Sequence, residues 1–196
     1  MMNTEIVIVS GLPRSGTSLM MQMLANGGME AVTDHVRTAD TDNPRGYYEF
    51  ERVKKIKEDT SWLPEVRGKV VKMVSQLLYD LPPGERYRII FMERDLDEML
   101  VSQEKMLQRL GRKAAPREEI KRAFTVHLDR LYKWLDKQKN MDVLRISYNT
   151  LVQHPEEQAR LVHEFLKDGV DLERMVNAVD QGLYRNRKLV ADGSKS

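Results

Sequence analysis

An α/β fold, with a central, mostly parallel sheet between two layers of helices, is predicted by three observations. Short apolar runs rich in Val and Ile are each bounded by polar or turn residues, which suits strands buried on both faces. Amphipathic helical patterns lie between these runs, so strands and helices alternate along the chain. The first apolar run leads directly into a glycine-bounded loop that opens a helix.

The strands are read at residues 5–10, 69–74, 87–93 and 142–147. A helix over 17–26 follows the loop and stops at Gly27-Gly28. A second, over 95–110, stops at Gly111. A third, over 116–139, starts with Pro116, Glu118 and Glu119, good chemistry for a first turn. Its residues Ile120, Phe124, Leu128, Leu131 and Leu135 recur at helical spacing, so it is read as an amphipathic core helix. A fourth, over 155–167, stops before Gly169. The stretch 29–51 has little periodicity and holds Asp34, His35, Asp40, Asp42, Asn43, Pro44, Arg45 and Gly46. A long irregular segment inside a compact domain is usually functional, and this one is read as a substrate-side loop.

Bulk properties narrow the classes. A length of 196 residues suits one domain over 1–196, with 191–196 a frayed tail. Net charge is +2, from 32 basic and 30 acidic residues, so no bulk affinity for nucleic acid or membrane is expected and any basic site is local. With no cysteine, thiol chemistry, disulfides and cysteine-ligated metals are excluded, and a cytoplasmic location is expected. No run approaches the ~18 apolar residues of a membrane span, and the apolar run 6–9 is too short for a signal peptide. Four histidines without HExxH spacing argue against zinc, so no metal is expected. The 12 methionines, with Met20, Met21, Met23 and Met29 close together, are read as pliable core filler.

The loop is Gly11-Leu-Pro13-Arg14-Ser15-Gly16-Thr17-Ser18. Gly11 and Gly16 have the spacing of a Walker loop, but Thr17 stands where the lysine should be. The only loop cation is Arg14. Such a P-loop-like layout wraps a phosphate-like group in backbone N–H groups at a helix N-terminus. It is not built for the terminal phosphates of ATP with magnesium. Further along, a strand leads to Arg94, with Asp95 after it and Ser102 eight residues on, about two helical turns away. A third segment runs Asp142-Val-Leu-Arg-Ile-Ser-Tyr148-Asn149-Thr-Leu and then reaches Pro155. A fourth, Gly182-Leu-Tyr-Arg185-Asn-Arg187-Lys188, carries three cations in four positions.

Together these segments resemble the sulfotransferase family, which uses 3′-phosphoadenosine-5′-phosphosulfate (PAPS), over most of the chain from Glu5 to Lys188. The resemblance implies that Gly11, Pro13, Arg14, Ser15, Gly16, Thr17 and Ser18 form the 5′-phosphosulfate loop. It implies that Arg94 and Ser102 bind the 3′-phosphate and that Tyr148 lies against the adenine. At 149 this chain has Asn where the family has an acid. Arg185 and Arg187 either close over the 3′-phosphate or form a solvated basic tail. Lys72 either helps bind the phosphosulfate and assists the leaving group, as a lysine at such a strand end does in soluble members, or is a surface residue. The histidine that follows two residues later in those members is Val74 here.

The acceptor must lose a proton as it attacks, which calls for a general base. His35, with Asp34 before it, stands where relatives with the Arg-type loop place a carboxylate, and imidazole titrates near neutrality. Glu49 is the competitor. The other histidines, His127, His154 and His163, are read as uninformative. The expected reaction moves a sulfuryl group from PAPS to a hydroxyl or amine of a small-molecule or carbohydrate acceptor bound by 29–51 and 107–116. Two rivals remain open: a nucleoside or small-molecule kinase with a P-loop-like fold, disfavoured by the missing loop lysine, and a non-catalytic 3′-phosphoadenosine nucleotide-binding protein.

Overall fold

The computed structural model describes residues 4–34, 46, 48–167 and 169–179. In chain order the elements are β1 (Ile6–Gly11), α1 (Thr17–Asn26), β2 (Val70–Val74), β3 (Tyr87–Glu93), α2 (Leu96–Arg109), α3 (Arg117–Leu135), β4 (Met141–Ser147), α4 (Tyr148–Gln153), α5 (Pro155–Phe165) and α6 (Leu172–Asn177). Three 3₁₀ segments, Glu51–Lys55, Leu63–Val66 and Ser75–Asp80, flank β2.

The four strands pair in the order β2-β1-β3-β4, and every pairing is parallel. Gly11 lies opposite Val74 on one side and Met92 on the other. All strands therefore end at the same edge of the sheet. The turns into α1, α2 and α4 gather there, and ligands of open α/β sheets bind at that edge.

Alternation along the strands sorts the core into two layers. Val7, Val9, Ile90, Met92 and Ile146 face α1, α4, α5 and α6 through Met20, Met23, Leu151, Val162 and Met175. Ile6, Ile8, Val71, Met73, Ile89 and Phe91 face α3 and the 3₁₀ segments through Leu131, Leu135, Trp62 and Leu78. Met20, Met21 and Met23 are fully buried, as core filler should be. Burial of each such side chain stabilises the fold by about 1.5–3 kcal/mol.

One charged group is built into this frame. Arg88 on β3 is buried and donates to the Glu5 carboxylate and to the Phe165 carbonyl, tying the entry to β1 to the end of α5. The Arg88 guanidinium holds the Glu5 carboxyl below the usual carboxylate range against the opposing effect of burial.

Several boundaries differ from expectation. The third helix ends at Leu135 rather than 139, because Gln138 folds back and its Nε2 donates to the Trp134 carbonyl at 3.0 Å, capping the last turn. The segment after β4, not assigned to a helix from the sequence, is a short helix, and Ser147 caps it by accepting the Thr150 N–H at 3.2 Å. α6, capped by Asp171, was not foreseen. The start of the irregular stretch is partly ordered against the sheet. The Val70 N–H donates to the Glu30 carbonyl at 3.0 Å, the Val32 N–H donates to the Val70 carbonyl at 2.9 Å, and Ala31 bridges Val70. This covers the outer edge of β2. Residues 35–45 and 47 lie outside the described residues, as does the expected tail 191–196. Among the described residues no helix is long and apolar enough to cross a membrane.

On the α3 side, His127 sits with its Nε2 2.9 Å from the Oγ of fully buried Ser75. Burial pushes the imidazole below its ordinary value. The unfolded chain therefore binds more protons at this site than the folded chain once pH falls below about 6.5, and stability is lost on the acid side. We expect the thermal midpoint to fall less between pH 7.5 and pH 5.5 in His127→Gln than in the parent, measured by circular dichroism. Equal falls would refute this role for His127.

Candidate active site

The loop between β1 and α1 carries its conformation in three residues. Arg14 (φ 70°) and Gly16 (φ 97°) are left-handed on either side of Ser15, whose N–H donates to the Leu12 carbonyl at 3.2 Å. Alternating handedness turns successive N–H groups toward one concavity, an arrangement that suits an anion. α1 begins at Thr17 without a side-chain cap, so the N–H groups of its first turn have no partner within the helix. Its dipole adds to the attraction for negative charge.

Glycine is required at both ends of the loop. A Cβ at Gly11 would lie 2.7 Å from the Met92 carbonyl and overlap Ser15 Oγ. A Cβ at Gly16 would overlap the Tyr148 ring at Cδ2 and lie 3.0 Å from Cε2. Ser15 Oγ is buried and has no hydrogen-bond partner among the described residues. A buried hydroxyl left in that state signals a ligand group or water. Pro13 is exposed at the loop tip, and Ser18 lies in the first turn of α1.

The other predicted groups converge on this loop. Lys72, on β2, donates from Nζ to Ser18 Oγ at 3.0 Å, so it is not a detached surface residue. Arg94 follows β3, and its Nη1 donates to the backbone carbonyl of Arg14 at 3.2 Å. Ser102, buried on α2, accepts from Arg14 Nε at 3.1 Å. The guanidinium of Arg94 stacks on the Tyr148 ring, 4.4 Å from its centroid. Tyr148 is itself buried at the start of α4, and burial pushes its phenol above the ordinary value while Arg94 opposes this. Gly11, Arg14, Ser15, Gly16, Thr17, Ser18, Lys72, Arg94, Ser102 and Tyr148 thus share one end of the sheet.

The base candidates are less defined. His35 lies outside the described residues, as do Arg185 and Arg187. Asp34 is engaged, its carboxylate accepting the Glu51 N–H at 2.6 Å. Glu49 is half-buried and pairs with Lys54 at 3.8 Å, while its carbonyl accepts from Thr33 Oγ1 at 3.1 Å and the Asp34 N–H at 3.2 Å. A groove of about 900 Å³ elsewhere, along α3, is lined by Tyr79, Val126, His127, Arg130 and Trp134 and by none of the predicted site residues. Among the described residues no group of three His, Asp or Glu could hold a metal ion.

One residue escaped the sequence reading. Glu98 is buried, 3.6 Å from Arg94 Nε, and its Oε2 accepts from Asn149 Nδ2 at 2.9 Å. The available signal was the Asp95-x-x-Glu98 spacing of a helix start, which ordinarily says only that a cap is present.

The fold is a parallel α/β sheet with a glycine-bounded, arginine-bearing loop at the edge where its strands end, and a second arginine packed against that loop. The chain belongs to the sulfotransferase family: the family model for the sulfotransferase domain matches residues 4–190. Solved structures agree on the fold. A sulfotransferase domain from the curacin biosynthetic pathway superposes with a TM-score of 0.53 at 13% identity, covering 91% of this chain and 88% of that one. The sulfotransferase domain of the Synechococcus PCC 7002 olefin synthase gives 0.56 at 16%, covering 95% and 89%. A sulfotransferase from Alicyclobacillus acidocaldarius gives 0.51 at 16%, covering 86% and 82%. No curated protein matches the sequence significantly.

Contact between the loop and α4 has a measurable consequence. Gly16→Ala should cost about 1–3 kcal/mol from its left-handed backbone and the ring it displaces, with the midpoint falling about 2–4 °C per kcal/mol. In a Tyr148→Ala background the same change should cost less by about 1 kcal/mol. A double-mutant cycle by denaturant unfolding checks this, and additive effects would show that the ring does not constrain position 16.

Proposed function

We propose that this protein transfers a sulfuryl group from PAPS to a hydroxyl or amine of a small-molecule or carbohydrate acceptor. The observation that carries the reading is the meeting of two anion-gripping sets at one residue. Arg94 holds the Arg14 carbonyl and Ser102 holds the Arg14 Nε, at 3.2 and 3.1 Å. A donor with phosphates on both the 5′ and the 3′ oxygen of one ribose needs two such cradles side by side. The orphaned Ser15 hydroxyl supports a ligand group in the loop.

In the proposed reaction the S–O bond to the 5′-phosphate breaks and a bond from sulfur to the acceptor forms. Negative charge grows on the bridging oxygen as it leaves. Arg14 and the loop N–H groups stabilise that charge, and Lys72, linked to the loop through Ser18, adds a second cation. Arg94 and Ser102 bind the 3′-phosphate, and Tyr148 supports the adenine end. His35 or Glu49 takes the acceptor's proton. No metal is needed to neutralise the leaving group when two side-chain cations do so.

Calorimetry with 3′-phosphoadenosine-5′-phosphate, its 2′-phosphate isomer and ADP tests the nucleotide assignment. The first should bind tightest, and Arg94→Ala should lower its affinity about 10- to 100-fold, the loss of a charge-assisted contact. Equal binding of all three would exclude Arg94 and Ser102 as the 3′-phosphate site. Turnover should survive chelation of magnesium, which phosphoryl transfer does not. Arg14→Ala should lower kcat about 10²- to 10³-fold, with a change in nucleotide affinity below about tenfold. A kcat near the parent's would remove Arg14 from the leaving-group role.

A further inference from the structure

The surroundings of Arg94 contain a carboxylate that the reaction does not require. Arg94 and Glu98 are both nearly buried, with side chains 8% and 5% exposed, and Glu98 Oε2 lies 3.6 Å from Arg94 Nε. Burying a negative charge beside the guanidinium that receives an anion works against that anion. The arrangement is built rather than incidental. Asp95 caps α2 by accepting the Asp97 and Glu98 N–H groups at 3.0 and 3.1 Å. In the usual capping box the acid at the third helical position reaches back to the cap residue's own N–H. Here Asn149 Oδ1 lies 3.4 Å from the Asp95 N–H, and Asn149 Nδ2 donates to Glu98 Oε2 at 2.9 Å. One amide thus faces both the cap and the carboxylate, with Glu98 held on the Arg94 side. It also accounts for Asn at 149, because an acid there would set a second carboxylate against Glu98.

The geometry points to Glu98 as a resident counter-anion for Arg94, a positioning residue that sets how tightly the 3′-phosphate is held. Without ligand, a buried guanidinium lacking a partner would be costly, and Glu98 neutralises it while Tyr148 and the Arg14 carbonyl fix its plane. When the phosphate arrives it shares Arg94 with a charge of its own sign, which weakens binding and speeds departure of the spent nucleotide. This inference rests on the 3′-phosphate role proposed for Arg94.

The test is calorimetry on the full chain with 3′-phosphoadenosine-5′-phosphate and with ADP, in the parent and in Glu98→Gln. The variant keeps the side-chain shape and an acceptor for Asn149 but removes the charge. We expect it to bind the 3′-phosphorylated nucleotide at least about threefold more tightly, with a smaller change for ADP. Its ligand-free thermal midpoint should fall, and the upshift on adding the 3′-phosphorylated nucleotide should exceed the parent's. A purely structural role would weaken both nucleotides alike, and that result, or unchanged affinity, overturns the inference. If Glu98→Gln does not fold, Glu98→Asp, which withdraws the carboxylate by one methylene, should shift affinity in the same direction by a smaller factor. Unchanged or weaker binding there also overturns it. A parent that binds both nucleotides equally defeats the Arg94 reading and this inference with it. A parent that discriminates, with a Glu98→Gln variant that does not tighten, defeats this inference alone.

Discussion

The architecture of the site depends on the missing side chain at residue 16. Because Gly16 has no Cβ, the Tyr148 ring lies directly on the loop. Because the ring lies there, the Arg94 guanidinium has a flat surface to stack on. From that surface Arg94 reaches the carbonyl of Arg14, a residue in the left-handed region at some energetic cost. Four segments far apart in sequence are thereby locked to one another: the loop, the end of β3, the middle of α2 and the start of α4. A side chain at 16 would displace the ring and, with it, the surface on which Arg94 stacks.

The parallel sheet turns that local lock into a site. Every strand delivers its chain to the same edge, so groups that follow β1, β3 and β4 meet without long connections. Lys72 on β2 joins them from the neighbouring strand, opposite Val9. The side chains assigned to anion binding in the proposed reaction come from several elements, while the backbone donors come from one loop. This division suits a ligand with charge at two points. It also explains why the loop can do without the Walker lysine, since cations arrive from within the loop at Arg14 and from the strand beside it at Lys72.

Much of this was legible in the sequence. Strand positions follow from apolar runs long enough to be buried on both faces, and the boundaries of β3 were read to the residue. The loop was legible because glycine spacing and a following amphipathic helix are local signals. Arg94 and Ser102 stood out as a pair through the resemblance to the family's 3′-phosphate motif, in which an Arg at a strand end is followed by a Ser about two helical turns later. What was not legible depended on contacts between segments. Glu98 looks like an ordinary acid in a first turn until Asn149 is seen across from it. His127 looked uninformative because nothing in its own helix reveals that Ser75 stands opposite. α4 was missed because six residues carry too little periodicity to separate a short helix from a turn. The three 3₁₀ segments were missed for the same reason.

The two margins of the sheet are finished differently. Beside β2 the chain itself returns at Ala31 and occupies the open hydrogen-bonding side. Beyond β4 no described strand pairs, and there the exposed side chains include Asp142 and Arg145, one of each sign. Charges at an unpaired margin discourage a foreign strand from adding itself to the ladder. Among the described residues, the margin beyond β4 is therefore the open one, and it carries exposed charges of both signs while the margin beside β2 is closed by the chain itself.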